Sequence, residues 1–248
     1  MNDDYSQFFP TSGKFSPKQP NSDALIIRFL PLTKAIHLFE TCQLHLTRLD
    51  KFDDKNEGMW TAADNSQWLK YGPFDVSKFT KNFRSTFAVL CWSIYDEELN
   101  QPKMWQEYVS SGQGVAIISR AGKLCEQVNK SLSNTGCANT VLAEVQYVDR
   151  GAYSNLVKLE GSDHLPNSTL PYYQKDATYS FEREVRLMVS AGLDANKQQW
   201  VISTDGLLLS VEPKQIIEKI LLPPSLKVWE RDSLSGLLGK YGLKGVIG

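Results

Sequence analysis

The sequence is poor in the side chains that usually hold metals. It has three histidines, His37, His45 and His164, and four scattered cysteines, Cys42, Cys91, Cys125 and Cys137. No two cysteines form a C-x-x-C pair, and none lies near a histidine at zinc-site spacing, so neither a structural zinc nor a dithiol centre is expected. Free buried thiols in a reducing cytoplasm are the plain reading. Phosphate-cradling loops are missing as well. There is no G-x-x-x-x-G-K-[ST] and no G-x-G-x-x-G after a strand; "SSGQGVAI" comes before a strand, so its glycines read as a turn. Neither H-E-x-x-H nor a G-x-S-x-G elbow occurs. No apolar run reaches the roughly 18 residues needed to span a bilayer, and the acidic "MNDDYSQFFP" carries no apolar signal region. The net charge is −1, which gives no whole-molecule basic field to draw in nucleic acid. These absences lead to the expectation of a cytoplasmic protein with no membrane partner and no bound metal.

What is present is an ordinary globular composition. The 248 residues are 42% hydrophobic and 22% charged, enough to bury a sizeable core. Six Trp, ten Tyr and eleven Phe supply material for core and for ligand walls. Residues 1–23 read as a loose polar arm. Strands are expected at 24–30, 43–49 and 85–95, then at "GVAIISR", "VLAEVQYV", "YSFEREVRLMVS", "GLLLSVEP", "IIEKILLPP" and "LKGVIG". Helices are expected at "LTKAIHLFETC", with Thr33 as N-cap, and at "NQPKMWQEY", with Pro102 in the first turn. A third, "SLKVWERDSLSGLLGKYG", reads as amphipathic, capped by Ser225 and stopped by Gly242. Residues 61–82 read as irregular or helical, 121–140 as helix then loop, and 150–170 as a helix or long loop. No repeat or internal linker is visible. Residues 24–248 therefore read as a single α+β domain of mixed, mainly antiparallel sheets with a few short helices.

The stretch "FEREVRL", residues 181–187, packs two carboxylates and two guanidiniums between hydrophobic residues. In a strand, Glu182, Glu184 and Arg186 share one face, and Phe181, Arg183, Val185 and Leu187 the other. One reading is a polar strand face with a cross-strand salt bridge. The other is a carboxylate pair, kept ionised by Arg186, that bonds sugar hydroxyls or stabilises a positive transition state. Spacing fits both. "CWSIYDEELNQPKMWQEY" places Trp92, Ser93, Trp105 and Tyr108 near one another, as aromatic core or as a pocket wall. In "FDDKNEG", Asp54 and Glu57 read as a solvated turn, or more sharply as the rim of a site. His45 shares a strand face with Thr47, either half-exposed or lining a pocket, and His37 reads as a surface or packing residue.

Taken in order, these stretches resemble the bacterial domain-of-unknown-function family numbered 2971. "IIRFL" comes first, then "FDDKNEG", similar to that family's Phe-Asn-Asp-Pro-Phe-Glu-Gly but departing from it at Asp53, Lys55 and Asn56. "CWS", "MWQEY" and "GVAI" follow, then "KDATYSFEREVRL", similar to its Lys…Tyr-Glu-x-Glu-x-Arg block, and the closing "PKQIIEKILLPPS". The resemblance runs from about residue 25 to the end. A second resemblance is to ADP-ribosyltransferases, in the order Arg on the first strand, Ser on a central strand and Glu-x-Glu on a late one. It implies an ADP-ribosyltransferase-like fold and NAD as substrate. Arg28 would contact NAD, Ser93, Trp105 and Tyr108 would line the nicotinamide pocket, Glu184 would be the catalytic carboxylate and Glu182 its helper. An enzyme of this kind would act on a nucleic-acid or protein acceptor, as a bacterial toxin or phage-defence effector. Two other readings stay open: a nuclease holding Mg²⁺ on Asp54, Glu57, Glu182 and Glu184, and a non-catalytic module that binds a nucleotide or a partner.

Overall fold

Apolar runs set the longer strands, with Pro31 ending the first of them and Gly114 opening another. The chain enters through β1 (Leu25–Pro31), α1 (Leu32–Thr41) and β2 (Gln43–Arg48). It continues through α2 (Ala62–Trp68), α3 (Val76–Phe83), β3 (Phe87–Ile94), α4 (Gln101–Tyr108), β4 (Gly114–Arg120) and α5 (Ala121–Leu132). Next come β5 (Ala138–Glu144), β6 (Gln146–Val148), β7 (Gln174–Asp176), β8 (Glu184–Ser190), β9 (Leu193–Asp194) and β10 (Gln199–Trp200). The chain ends with β11 (Leu207–Ser210), α6 (Pro213–Ile216), β12 (Lys219–Leu221) and α7 (Val228–Lys240). This is the computed structural model, which describes residues 17–68, 76–97, 101–109, 113–133, 138–151, 170–190, 193–194, 199–200 and 202–248. Most of the arm at 1–23, most of the stretch at 150–170, His164 and Cys137 lie outside the described residues. The class is α+β with mainly antiparallel sheets, as the alternation of short strands and helices implied.

Two compact units can be distinguished. One, here unit 1, holds Met1–Gln19, Leu46–Leu90 and Gly136–Leu207; unit 2 holds Pro20–His45, Cys91–Thr135 and Leu208–Gly248. In unit 2, β1 is flanked by β3 and β4, with Ile27 opposite Ser93 on one side and Ile118 on the other. β12 extends the sheet beyond β4, with Ile220 opposite Ile117, and all these pairings are antiparallel. Ile26, Ile27, Phe29 and Leu30 are buried on β1, as are Val115 to Ser119 on β4. Burying an Ile or Leu fully is worth roughly 1.5–3 kcal/mol, so these strands anchor the unit. In unit 1, Thr47 on β2 pairs with Val89 on β3, β8 pairs with β5 and β3, and Leu142 faces Leu187. β6 and β7 form a short parallel pair, with Tyr147 opposite Lys175. A reciprocal Thr61–Asp64 capping box starts α2, with Asp64 N–H donating to Thr61 Oγ1 at 3.1 Å.

Several local expectations are corrected. Thr33 does not cap α1; Pro31 occupies that position, and no side chain caps the helix. α7 starts after Lys227 rather than at a Ser225 cap, with Glu230 accepting from the Lys227 N–H at 2.8 Å. It is not an amphipathic core helix, since Leu238 is its one buried residue. Gly242 does sit in the left-handed region, φ 71°, just after its end. "LKGVIG" forms a 3-10 turn at Lys244–Val246 with a single bridge from Ile247 to Ile220, not a strand. The described thiols are not buried: Cys42 is exposed, and Cys91 and Cys125 are half-buried.

Candidate functional site

"FEREVRL" is not one strand. Residues Ala177–Glu182 form a 3-10 helix and β8 begins only at Glu184. Asp176 caps that helix, accepting from the Thr178 N–H at 3.0 Å and the Thr178 hydroxyl at 2.7 Å. Those bonds hold the Asp176 carboxyl below its ordinary range. Arg183 closes the helix in the left-handed conformation, φ 44° and ψ 47°, which costs a non-glycine residue of order 1 kcal/mol or more. The kink changes what the stretch can do. Glu182 and Glu184 are each only 4% exposed, and Glu184 to Val189 are buried on both faces of β8. A solvated strand edge is therefore ruled out.

Both carboxylates meet the same ammonium. Lys175 Nζ lies 2.6 Å from Glu182 Oε2 and 3.4 Å from Glu184 Oε2. The other oxygen of Glu184 accepts from Arg186 Nε at 2.8 Å. Arg186 is wholly buried and spends its remaining donors on the Tyr172 carbonyl, at 2.5 Å, and on Glu57. Its guanidinium also stacks over the Phe52 ring, 5.8 Å from the centroid. The Glu184 backbone is pinned from both directions: its N–H donates to Tyr147 Oη at 2.7 Å and its carbonyl accepts from the Val145 N–H at 2.9 Å.

Glu57 reaches this centre through a tight loop. Asn56 N–H donates to the Asp54 carboxylate at 2.8 Å and Glu57 N–H to the Asp54 carbonyl at 3.2 Å. Gly58 then turns at φ 74°, where a Cβ would lie 2.9 Å from Leu49 and 3.0 Å from Tyr172. Arg84, 4% exposed, braces the loop from beneath by donating to the carbonyls of Lys55 at 3.0 Å and Leu49 at 2.8 Å. The solvated-turn reading of Glu57 is thus corrected: it is 5% exposed.

The electrostatics follow from this packing. Burial lowers the affinity of Lys175 for its proton, but Glu184, Glu57 and Glu182 together outweigh that and hold it above the usual lysine range. Burial pushes the Tyr147, Tyr172 and Tyr173 phenols upward, so they act as neutral hydroxyls. Desolvation pulls the Arg84 guanidinium down, against the opposing pull of Asp50, Glu57 and other neighbours. Among the described residues, no group of three or more His, Cys, Asp or Glu is arranged to hold a metal ion.

The structure brings Glu182 and Glu184 together with Glu57, Lys175 and Arg186, all within unit 1. Arg28, His45, Ser93, Trp105 and Tyr108 fall in unit 2. Burial pushes the Arg28 guanidinium down to about 10, with Cys91 opposing, so it stays protonated at neutral pH. Ser93 is 7% exposed on β3 and His45 is half-buried on β2. Trp105 packs edge-on against Phe29, centroids 5.0 Å apart, whereas Tyr108 on the same helix is 40% exposed. Lys175 and Tyr147 were not singled out from sequence. The one available signal was the lysine that opens "KDATYSFEREVRL".

The sequence of this centre has counterparts elsewhere. Residues 104–187 match the model of the family described as Protein of unknown function (DUF2971). The matched span of DUF2971 contains Lys175, Glu182, Glu184 and Arg186, while Glu57 lies before it. No curated protein matches the chain. No helix among the described residues is long and apolar enough to cross a membrane.

Proposed function

We propose that the unit 1 centre acts on NAD, transferring ADP-ribose to a nucleic-acid or protein acceptor as an effector of toxin or defence type. The observation that carries this reading is the burial of an ion-paired carboxylate couple, Glu182 and Glu184, on one ammonium. Taking these charges out of water costs several kcal/mol per ion, and replacement by apolar residues is often neutral or better for stability. Charge retained at that cost, with the shared Lys175 ammonium held above the usual lysine range by Glu184, Glu57 and Glu182, marks a candidate functional centre.

Cleavage of the bond between nicotinamide and ribose builds positive charge on the ribosyl carbon. Glu184 is the group that supports that charge, and Glu182 places the acceptor. An ionised carboxylate fixed before the reaction lowers such a barrier without reorganisation. A carboxylate oxygen accepts more than one donor, and on this reading a ribose hydroxyl joins Lys175, 3.4 Å away, at Glu184 Oε2. Lys175 and Tyr179 form the outward side of the couple, with side-chain exposure of 11% and residue exposure of 37% respectively. This reading rests on unit 1 alone.

One observation favours a second reading. Both oxygens of Glu184 already face cations, which suits a module that binds a nucleotide without turning it over. The test is nicotinamide release from NAD, without metal and with cell extract as the acceptor source, by the wild-type protein and by Glu184→Gln. Release by the wild type alone supports the transferase. Saturable NAD binding with no release supports the module, and nucleic-acid cleavage that requires Mg²⁺ overturns both.

A further inference from the structure

We infer that Lys175 is the positioning residue of this centre, a single ammonium that clamps Glu182 and Glu184 side by side and keeps both as carboxylates. The inference builds on the carboxylate chemistry proposed above and adds the residue that prepares it.

The geometry divides the cations by task. Arg186 serves Glu184, Glu57 and the Tyr172 carbonyl, and its contact with Glu184 uses Oε1. Lys175 takes the Oε2 oxygens of both Glu182 and Glu184. A lysine suits this position: three donors around one compact charge can reach two carboxylates at once. Its backbone is held by the parallel pairing of β7 with β6, in which Tyr147 stands opposite Lys175. Tyr179 covers the ammonium, with its ring centroid 4.8 Å from Nζ. The charged and titratable groups around the couple include Lys175 on β7, Arg186 on β8, Tyr147 on β6, Tyr179 over the ammonium, Tyr173 beside Arg186 and Glu57 from the loop before Gly58, with Arg84 acting on Glu57. Remove Lys175, and both buried carboxylates lose the cation they share, which favours the protonated form of one of them.

The test compares wild type, Lys175→Met and Lys175→Arg by two readouts. The first is the titration of Glu side-chain carboxyl carbons by NMR in glutamate-labelled protein. In Lys175→Met, one carboxyl of the couple should titrate about one to three pH units higher than in wild type, and Lys175→Arg should recover much of the shift. The second is the acid limb of the pH profile of nicotinamide release, which should move up by the same amount. A merely structural lysine would change the amount of folded protein but not these midpoints. A folded Lys175→Met protein with an unmoved carboxyl titration overturns the inference. If wild type releases no nicotinamide, the transferase reading fails while the carboxyl titration still decides the clamp. Should Lys175→Met not fold, wild type alone decides it. The Lys175 Cε resonance should stay in the protonated position while the other lysines titrate, and titration in step with them overturns the clamp.

Discussion

Arg186 offers the sharpest test of how this centre is held. The side chain is wholly buried, with Glu184, Glu57 and the Tyr172 carbonyl as partners. Arg186→Met keeps much of the volume and removes the charge. Glu57 would then be a buried carboxylate without its bonded cation, and Glu184 would lose its shorter cation contact while the longer one to Lys175 stays. Removing one partner of a buried pair costs about 3–5 kcal/mol, and the orphaned carbonyl falls within that figure. Against an ordinary stability of about 5–15 kcal/mol, this is roughly a fifth or more of the total. The decisive experiment adds Glu57→Gln. In the wild-type background that change weakens a buried ion pair and should cost about 2 kcal/mol or more. In the Arg186→Met background it removes a stranded charge, so it should restore about 1–3 kcal/mol. The sign of the Glu57→Gln effect thus reverses between backgrounds. Urea unfolding of the four proteins, with the slope checked for constancy, measures it. If Glu57→Gln destabilises both backgrounds equally, the two residues are not coupled and the argument for a joined centre fails.

Three other outcomes are expected. Glu184→Gln should abolish nicotinamide release and, because it weakens a buried ion pair, lower the urea midpoint about as much as Glu57→Gln does while the circular dichroism spectrum keeps its native shape; retained turnover would remove Glu184 from the mechanism. Gly58→Ala places a methyl within about 3 Å of Leu49 and Tyr172 at a positive φ, so it should cost more than about 1 kcal/mol and disturb Glu57, read as a lower urea midpoint. Asp50 takes a two-point grip from Arg48, at 2.8 and 2.6 Å, and this holds its carboxyl below the ordinary range despite partial burial. Its stabilisation, about 1 kcal/mol, is present above the unfolded value of about 4 and fades as pH falls through the lower folded value. The stability gap between wild type and Asp50→Asn should therefore be open at pH 7 and shrink as the pH falls below the ordinary carboxylate range; a gap of constant size would contradict the bond.

How much of this was legible in sequence depended on the range of the forces involved. The near-continuous apolar runs of β3 and β4 announced buried strands, and Pro102 with Met104, Trp105 and Tyr108 on one expected face announced α4, although Tyr108 is exposed. Failures came where a local pattern was overruled. "FEREVRL" has the alternation of a strand, yet Arg183 adopts a left-handed conformation that no glycine or asparagine advertises. α7 shows apolar residues at helical intervals, but only Leu238 finds a buried place. In the candidate centre, Glu182 and Glu184 stood out because two carboxylates so near each other require an account. Glu57 lies 129 positions from Arg186, and only tertiary structure joins them. Lys175 is nearer, but a lysine seven residues before a glutamate carries no periodic signal in a segment that is part strand and part 3-10 helix.

The kink at Arg183 explains why the charge is arranged as it is. A regular strand through 181–187 would place Glu182 and Glu184 along one face, about 7 Å apart, with Arg183 on the other. Ending a helix at Glu182 and starting a strand at Glu184, across a strained residue, brings an oxygen of each to Lys175. The same start of β8 aligns Arg186 with Glu57, whose loop is braced by Arg84 and turned by Gly58. Each device costs something on its own: a left-handed arginine, two buried guanidiniums and three buried carboxylates. Apolar packing would fill the space at less expense. The arrangement makes physical sense when its product is the pair of fixed, ionised carboxylates beneath Lys175 and Tyr179, which is the chemistry assigned to it here.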